Sequence, residues 1–199
     1  MKRAIIGGGG FSQEVLSYLG NDIPRFIDHE YWYHDMTSRG ILPLDMFDPI
    51  EYEVVVAVGN PVDRENIVNR LPKETKYFTY IHPSAQIFSE SSIGEGSIIC
   101  PGVIITTDVI IGKHAHLNIL STVGHETYIG NFFTTAPGAK VSGNCIIRDR
   151  VNLGTNSSVR EKLTICDDVT VGLNSGVVKD INKSGIYVGL PAKIIKQKG

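Results

Sequence analysis

The chain has 199 residues, 42% of them hydrophobic, enough to bury a substantial core in one or two domains. Nineteen basic against 21 acidic side chains leave a net charge of −2, which gives no footing for nucleic acid or an anionic membrane surface. Three scattered cysteines, Cys100, Cys145 and Cys166, make neither a disulfide framework nor a zinc finger, and a reducing, cytoplasmic setting is expected.

Residues 1–78 read as an alternating α/β unit. Met1-Lys2-Arg3 begins like a signal peptide, but the apolar run after it is only Ala4-Ile5-Ile6, so neither a leader nor a membrane span is expected. That run predicts a short strand, Gly7-Gly8-Gly9-Gly10 a tight turn, and Ser12 the cap of a helix ending at Leu19-Gly20. Phe26-Ile27 predicts a second strand ending at Asp28. Residues 29–50, with His29 and His34, have no periodicity, and no element is predicted there. Glu53-Val54-Val55-Val56-Ala57-Val58 suits the middle of a parallel sheet. Gly59-Asn60-Pro61 then turns into a helix carrying Arg64, Ile67, Val68 and Leu71, and Lys76 to Tyr80 forms a last strand.

A strand, a glycine turn, a helix and then an acid at the next strand's end place a phosphate at the helix N-terminus and a ribose on the acid. Gly7-x-Gly9-x-x-Ser12 lacks the third glycine of the dinucleotide fingerprint, and the unit is about half the usual size, so a nucleotide-linked ligand suits it better than NAD. The alternative is that the glycines only let the strand turn into the helix. Gly59 and Asn60 end the central strand on the same edge as Gly10 and Asp28, where open α/β sheets collect ligands.

From Ile81 to Val177 an apolar residue returns at every sixth position, and sixteen of these seventeen are aliphatic, only Thr135 departing. Two residues before each member runs a mostly small series, including Ser97, Ala115, Ser121, Ala139 and Cys145, with Phe133 and Leu163 as bulky exceptions. Six fits neither a helix nor an alternating strand, and it predicts a parallel β-helix of hexapeptide repeats over 79–199, residues eighteen apart stacking if three faces make a turn. Both series then point inward, which makes Cys145 a packing residue. Glycine follows the aliphatic residue at Gly94, Gly112, Gly124, Gly130, Gly154 and Gly172, where corners are expected to need backbone angles other residues reach poorly.

Such a coil offers few titratable groups. His114, His116 and His125 fall in it, and His82 lies at the junction. His125 precedes Glu126 and stacks between Thr107 and Gly143, and an imidazole beside a carboxylate is a group able to take a proton near neutrality. Strand alternation would send the two side chains to opposite sides, so their contact requires a corner. The residues alone leave a catalytic base and a surface histidine both open. After Val177 the chain leaves the hexad, and from Lys179 onward five lysines, including Lys193 and Lys198, face one acid, Asp180, which suits a phosphate-bearing ligand or a solvated tail equally.

With Ser121-Thr122-Val123-Gly124-His125-Glu126, the Val141-Ser142-Gly143-Asn144 unit and Val188-Gly189-Leu190-Pro191-Ala192-Lys193 behind a Gly-rich α/β domain, the chain resembles the hexapeptide-repeat sugar acetyltransferases. It is most similar to the branch of bacillosamine-pathway N-acetyltransferases and sialic-acid O-acetyltransferase-like proteins. The resemblance implies a small Rossmann-like domain, a left-handed β-helix, a homotrimer, and acetyl-CoA in a groove between coils, with no metal, nucleic acid or membrane insertion. It implies acetylation of a nucleotide-activated amino-deoxysugar, such as a 4-amino-4,6-dideoxy sugar, for surface glycan synthesis. His125 would be the base and Glu126 its support. Asn118, Thr134, Gly143, Thr155 and Leu173 would meet acetyl-CoA, and Gly9, Gly10, Phe11, Asp28, Gly59, Asn60 and Arg64 the nucleotide sugar. Phe11 stands where relatives often carry a histidine, which leaves the sugar open. Thr134 replaces another, leaving the thioester oxygen to a backbone N–H such as that of Gly143. O-acetylation of a sugar hydroxyl, a zinc enzyme of the γ-carbonic anhydrase type built on the coil histidines, and a non-catalytic scaffold are the other readings.

Overall fold

A computed structural model describes residues 1–28 and 39–197 and divides them into two compact units, Met1–Thr79 and Tyr80–Gly199. His29, His34 and Lys198 lie outside the described residues.

In the first unit β1 (Lys2–Ile6), β2 (Arg25–Ile27), β3 (Ile41–Pro43), β4 (Tyr52–Val56) and β5 (Lys76–Tyr77) form a sheet of order β3-β2-β1-β4-β5. Every pair in it is parallel. The β-branched run of β4 lies beside β1, both being buried strands of a parallel sheet. Ala4, Ile6, Phe26, Val54, Val56 and Leu71 make one core cluster, and the alternate residues Ile5 and Val55 are equally buried on the other face. β3 and a 3-10 turn, Leu44–Met46, occupy part of the stretch for which no element was predicted. Aperiodic apolar residues there, Ile41 and Leu42, are ordered by pairing with β2.

The first helix, α1 (Gly10–Leu19), starts two residues before the predicted cap. Ser12 therefore lies inside it, fully buried, and its hydroxyl donates to the Gly9 carbonyl at 2.7 Å instead of accepting from the first turn. The N-terminus of α1 carries no side-chain cap. The second helix, α2 (Pro61–Arg70), is capped in the usual way, Asn60 Oδ1 accepting from the Val62 and Asp63 amides at 2.9 and 3.3 Å with Pro61 in the first turn.

The second unit is a three-sided parallel β-helix. Each hexad contributes a short strand and every third strand enters the same sheet, so residues eighteen apart pair: Ile105 with Val123, Val123 with Val141, Ile111 with Ile129, Leu117 with Thr135. The first sheet has six strands, from Gln86–Ile87 to Gly176–Val177, and the second has five, from Ser92–Ile93 to Thr164–Ile165. The third has eight and is closed by Gly185–Val188 and an antiparallel final strand, Lys193–Gln197. From Ile99 to Val177 every aliphatic member is buried, as are the small residues two positions earlier from Ser97 onward.

Inward hydroxyls serve the ladder. Ser97 Oγ accepts from the Ala115 amide, and Thr135 Oγ1, the one break in the aliphatic series, accepts from the Asn118 amide at 2.8 Å and pairs with Ser121 Oγ at 2.8 Å. A polar side chain is tolerated inside because it is hydrogen-bonded there.

The corner glycines have a different cause from the one predicted. None of the six that follow an aliphatic member has positive φ. The left-handed conformation falls two residues later, at Glu90, Asp108, His114, Leu120, Glu126 and their equivalents through Asn174, with φ of 51–72° at every corner. At Gly94, Gly112, Gly124, Gly130 and Gly154 a Cβ would come within 2.5–2.8 Å of backbone atoms of the next turn. These glycines allow close approach of successive turns.

Candidate functional site

His125 and Glu126 follow the strand Thr122–Val123, at the edge between the first and second sheets. The left-handed φ of +56° at Glu126 swings its carboxylate back toward the preceding residue, supplying the corner their contact requires. His125 Nδ1 lies 2.9 Å from Glu126 Oε2. A carboxylate accepts only, so this bond keeps the imidazole proton on Nδ1 and the lone pair on Nε2. The imidazole is 61% exposed, and its backbone is fixed by Asn144 N donating to His125 O at 2.7 Å and Glu126 N donating to Thr107 O at 3.1 Å.

Gly143, one turn on, lies against the ring: a Cβ there would come within 2.7 Å of Nε2 and 2.8 Å of Cε1. The Gly143 carbonyl accepts from Lys162 at 3.1 Å, while its amide donates to no partner among the described residues. A lone pair and an unengaged N–H thus sit at one exposed edge, the pair of groups that acyl transfer needs for proton removal and for the oxyanion.

The other predicted cofactor residues stand elsewhere on the coil. Asn118, Thr155 and Leu173 follow strands of the third sheet, along the edge between the third and first sheets. Thr155 and Leu173 are successive and exposed, and Asn118 is half-buried with Oδ1 accepting from Ile119 N at 2.7 Å. Thr134 lies in the third sheet between His116 and Asn152 and is nearly buried. One chain therefore carries the predicted site as two separate edges.

The three coil histidines reach no common point. His114 is buried and stacked on Phe132 at 5.1 Å, His116 is buried in the third sheet, and His125 is exposed at another edge. No group of three or more His, Cys, Asp or Glu able to hold a metal occurs among the described residues.

In the first unit a cavity of about 630 Å³ opens at the C-terminal ends of the central strands. One wall is Gly7, Gly8, Gly9, Ile27 and Asp28, and the other is the Asp63, Asn66, Ile67 and Arg70 face of α2. Gly7 is at φ +141° with a would-be Cβ 2.8 Å from the Ala57 carbonyl oxygen, whereas a Cβ on Gly9 would meet nothing within 4 Å. Of the residues predicted for this site, Gly9 and Asp28 line the cavity, and Gly10, Phe11, Gly59, Asn60 and Arg64 do not. Asn60 is spent on the α2 cap. Arg64 is fully buried and donates Nη1 to the Val58 and Gly59 carbonyls at 2.7 and 3.2 Å, and burial pulls its pKa down to about 9. Asp63, Asn66 and Arg70 escaped the sequence reading, although their spacing of three and four residues puts them on one helix face. Arg70 Nη2 donates to Asp28 Oδ2 at 2.7 Å across the cavity.

No family model matches the chain. GDP-perosamine N-acetyltransferase of Escherichia coli O157:H7 is 28% identical over 170 residues, 79% of this chain and 77% of the relative. The structure of WeeI from Acinetobacter baumannii AYE is 30% identical with a TM-score of 0.89, covering 98% of this chain and 100% of that one. PerB from Caulobacter crescentus, solved in complex with CoA and GDP-perosamine, is 26% identical with a TM-score of 0.80, covering 100% of this chain and 98% of its own. The coil together with these likenesses marks the chain as an acyltransferase of the hexapeptide-repeat class. Within that class the chain belongs to the sugar N-acetyltransferases, which sets aside a purely structural scaffold.

Proposed function

We propose that this chain transfers an acetyl group from acetyl-CoA to the amine of a nucleotide-linked amino-deoxysugar, of the 4-amino-4,6-dideoxy type, for surface glycan synthesis. The observation that carries it is the His125–Glu126 pair at 2.9 Å, with Nε2 exposed beside Gly143. His125 Nε2 takes a proton from the acceptor amine as nitrogen bonds the thioester carbonyl carbon, and Glu126 faces the imidazolium that forms. The Gly143 amide donates to the oxygen on which charge develops. As the C–S bond breaks, His125 returns the proton to the CoA sulfur. Holding amine and thioester together supplies the larger share of the rate.

The cavity of the first unit, a half-sized Rossmann-like fold on this reading, takes the nucleotide, its glycine turn and uncapped α1 N-terminus suiting a diphosphate. The coil is taken to be left-handed. A homotrimer supplies the second edge: Asn118, Thr134, Thr155 and Leu173 of one copy meet acetyl-CoA opposite His125 of another. Two features support this, the separation of the two edges and an exposed apolar stripe on the second sheet, Ile110, Tyr128 and Ile146 at 53%, 44% and 41% exposure. No described helix is long and apolar enough to cross a membrane, and a cytoplasmic setting is part of the proposal.

The test is acetyl transfer to a nucleotide-linked 4-amino sugar and to its 4-hydroxy counterpart. His125→Ala should lower kcat on the amine by roughly 10²–10⁴-fold with little change in KM. Full activity in that variant would overturn the assignment of the base, and preference for the hydroxy sugar would overturn N-acetylation in favour of O-acetylation.

A further inference from the structure

Beneath the His125 edge lies one hydroxyl that touches both halves of the site. Thr127 belongs to the inward series and is 1% exposed. Its Oγ1 donates toward His125 O and Ser142 O, each at 3.3 Å, and accepts from the Cys145 amide at 3.3 Å. A hydroxyl has one proton, so the two carbonyls share it, and each contact is longer than a hydroxyl bond to a single acceptor. The Cys145 amide takes up a lone pair and keeps the proton turned toward the carbonyls. The Ser142 carbonyl is the other end of the peptide group whose N–H is that of Gly143. In a trans peptide the two ends point opposite ways, so a carbonyl held inward by Thr127 aims the N–H outward, toward the edge where Nε2 stands. The two ends are also coupled electronically. When the N–H donates to an oxygen gaining charge, the carbonyl becomes a better acceptor, and the hydroxyl proton moves from His125 O toward Ser142 O. Packing alone does not ask for this hydroxyl: one turn earlier the same column holds Val109, fully buried and of the same shape as threonine.

We infer that Thr127 is a positioning residue for acyl transfer, aiming and polarising the Gly143 amide through the Ser142–Gly143 peptide with a hydrogen bond that tightens as charge builds on the thioester oxygen. The inference rests on the reading of His125 and Gly143 as the acyl-transfer site. Thr127 touches neither substrate and acts only through the peptide it holds. Its contribution grows in the transition state and is small when substrates bind, so it falls on kcat and leaves KM alone.

The experiment is steady-state kinetics with acetyl-CoA and a nucleotide-linked 4-amino sugar, together with NMR of the Gly143 amide proton in the glycine-labelled full chain. Thr127→Val should lower kcat about 10-fold with both KM values nearly unchanged, and move the Gly143 amide proton upfield. That is less than the roughly 10²–10³-fold lost when an oxyanion donor is removed outright. Thr127→Ser, which keeps the hydroxyl, should restore both the rate and the resonance. Ser91 is the control, since its Oγ joins the Thr106 carbonyl at 2.7 Å and the Val109 amide at 3.1 Å in the same column but outside the site. Ser91→Ala should keep the wild-type kcat. Thr127→Ala, the residue the coil itself uses at Ala115 and Ala139, answers the same question should the valine variant not fold. A wild-type kcat or an unmoved Gly143 resonance without the Thr127 hydroxyl, or an equal loss of rate in Ser91→Ala, would overturn the inference and leave the acetyl-transfer reading intact. A wild-type chain that transfers no acetyl group to the amine would overturn both.

Discussion

At the scale of single residues, two glycines at the same edge do different work. A Cβ on Gly143 would meet the His125 ring, and one on Gly124 would meet the Gly143 backbone nitrogen at 2.5 Å. An exposed ring can swing aside, whereas backbone inside a stacked coil cannot. Gly143→Ala should therefore leave the melting temperature within a few degrees of wild type yet lower kcat/KM about 100-fold, because the displaced imidazole loses its alignment with Glu126. Gly124→Ala should instead lower stability by about 2 kcal/mol or more through overpacking. Kinetics and thermal melts on the pair separate the two, and a Gly143→Ala enzyme of full activity would show that Nε2 is not the reacting atom. Which residues stack was legible in the sequence, since a strict period of six fixes the register. Why the corners hold glycine was not, because the clash is with a residue eighteen positions away and leaves no local signal.

Elements carry the cavity. α2 brings three polar side chains to one wall, and Asn60 Oδ1 holds its first turn through two amides. Asn60→Ala should cost about 1 kcal/mol of stability and raise the KM for the nucleotide sugar, because fraying begins one residue from Asp63. Asn60→Asp, which keeps the acceptor, should restore stability, and an unchanged melting temperature in Asn60→Ala would show that Pro61 alone starts the helix. α1 behaves otherwise. Its bare N-terminus leaves the space above Gly9 empty of protein, so Gly9→Ala should fold normally and lose nucleotide affinity, measured by calorimetry. The strand, turn and helix order of the first unit was legible from β-branched runs and glycines. The Ser12 cap was misread because serine near a helix start signals a cap or an inward hydroxyl alike, and only the packing around it decides. Arg64, matched to the nucleotide-sugar site by resemblance alone, is wholly buried with its guanidinium on the Val58 and Gly59 carbonyls, and burial of that kind follows from tertiary packing, which the sequence does not display.

Across the whole molecule, the decisive fact is that the residues expected at one active site fall on two edges of one prism. His125 and the Gly143 amide share the edge between the first and second sheets, and Thr155 and Leu173 share the edge between the third and first. Periodicity gives each residue its face, but on the proposed trimeric reading which edges meet depends on a second copy, and no pattern within one chain encodes that. A subunit mixing experiment decides the matter. His125→Ala removes one edge and Leu173→Glu the other, and each variant alone should be nearly inactive. Dissociated, mixed in equal amounts and reassembled, they should recover about a quarter of wild-type activity, the share of head-to-tail contacts in which an intact histidine faces an intact leucine. A mixture that stays inactive while light scattering shows reassembled oligomers would place the complete site within one chain. Breaking the apolar stripe by Tyr128→Glu should give monomers and remove activity together, although His125 and Glu126 keep their hydrogen bond.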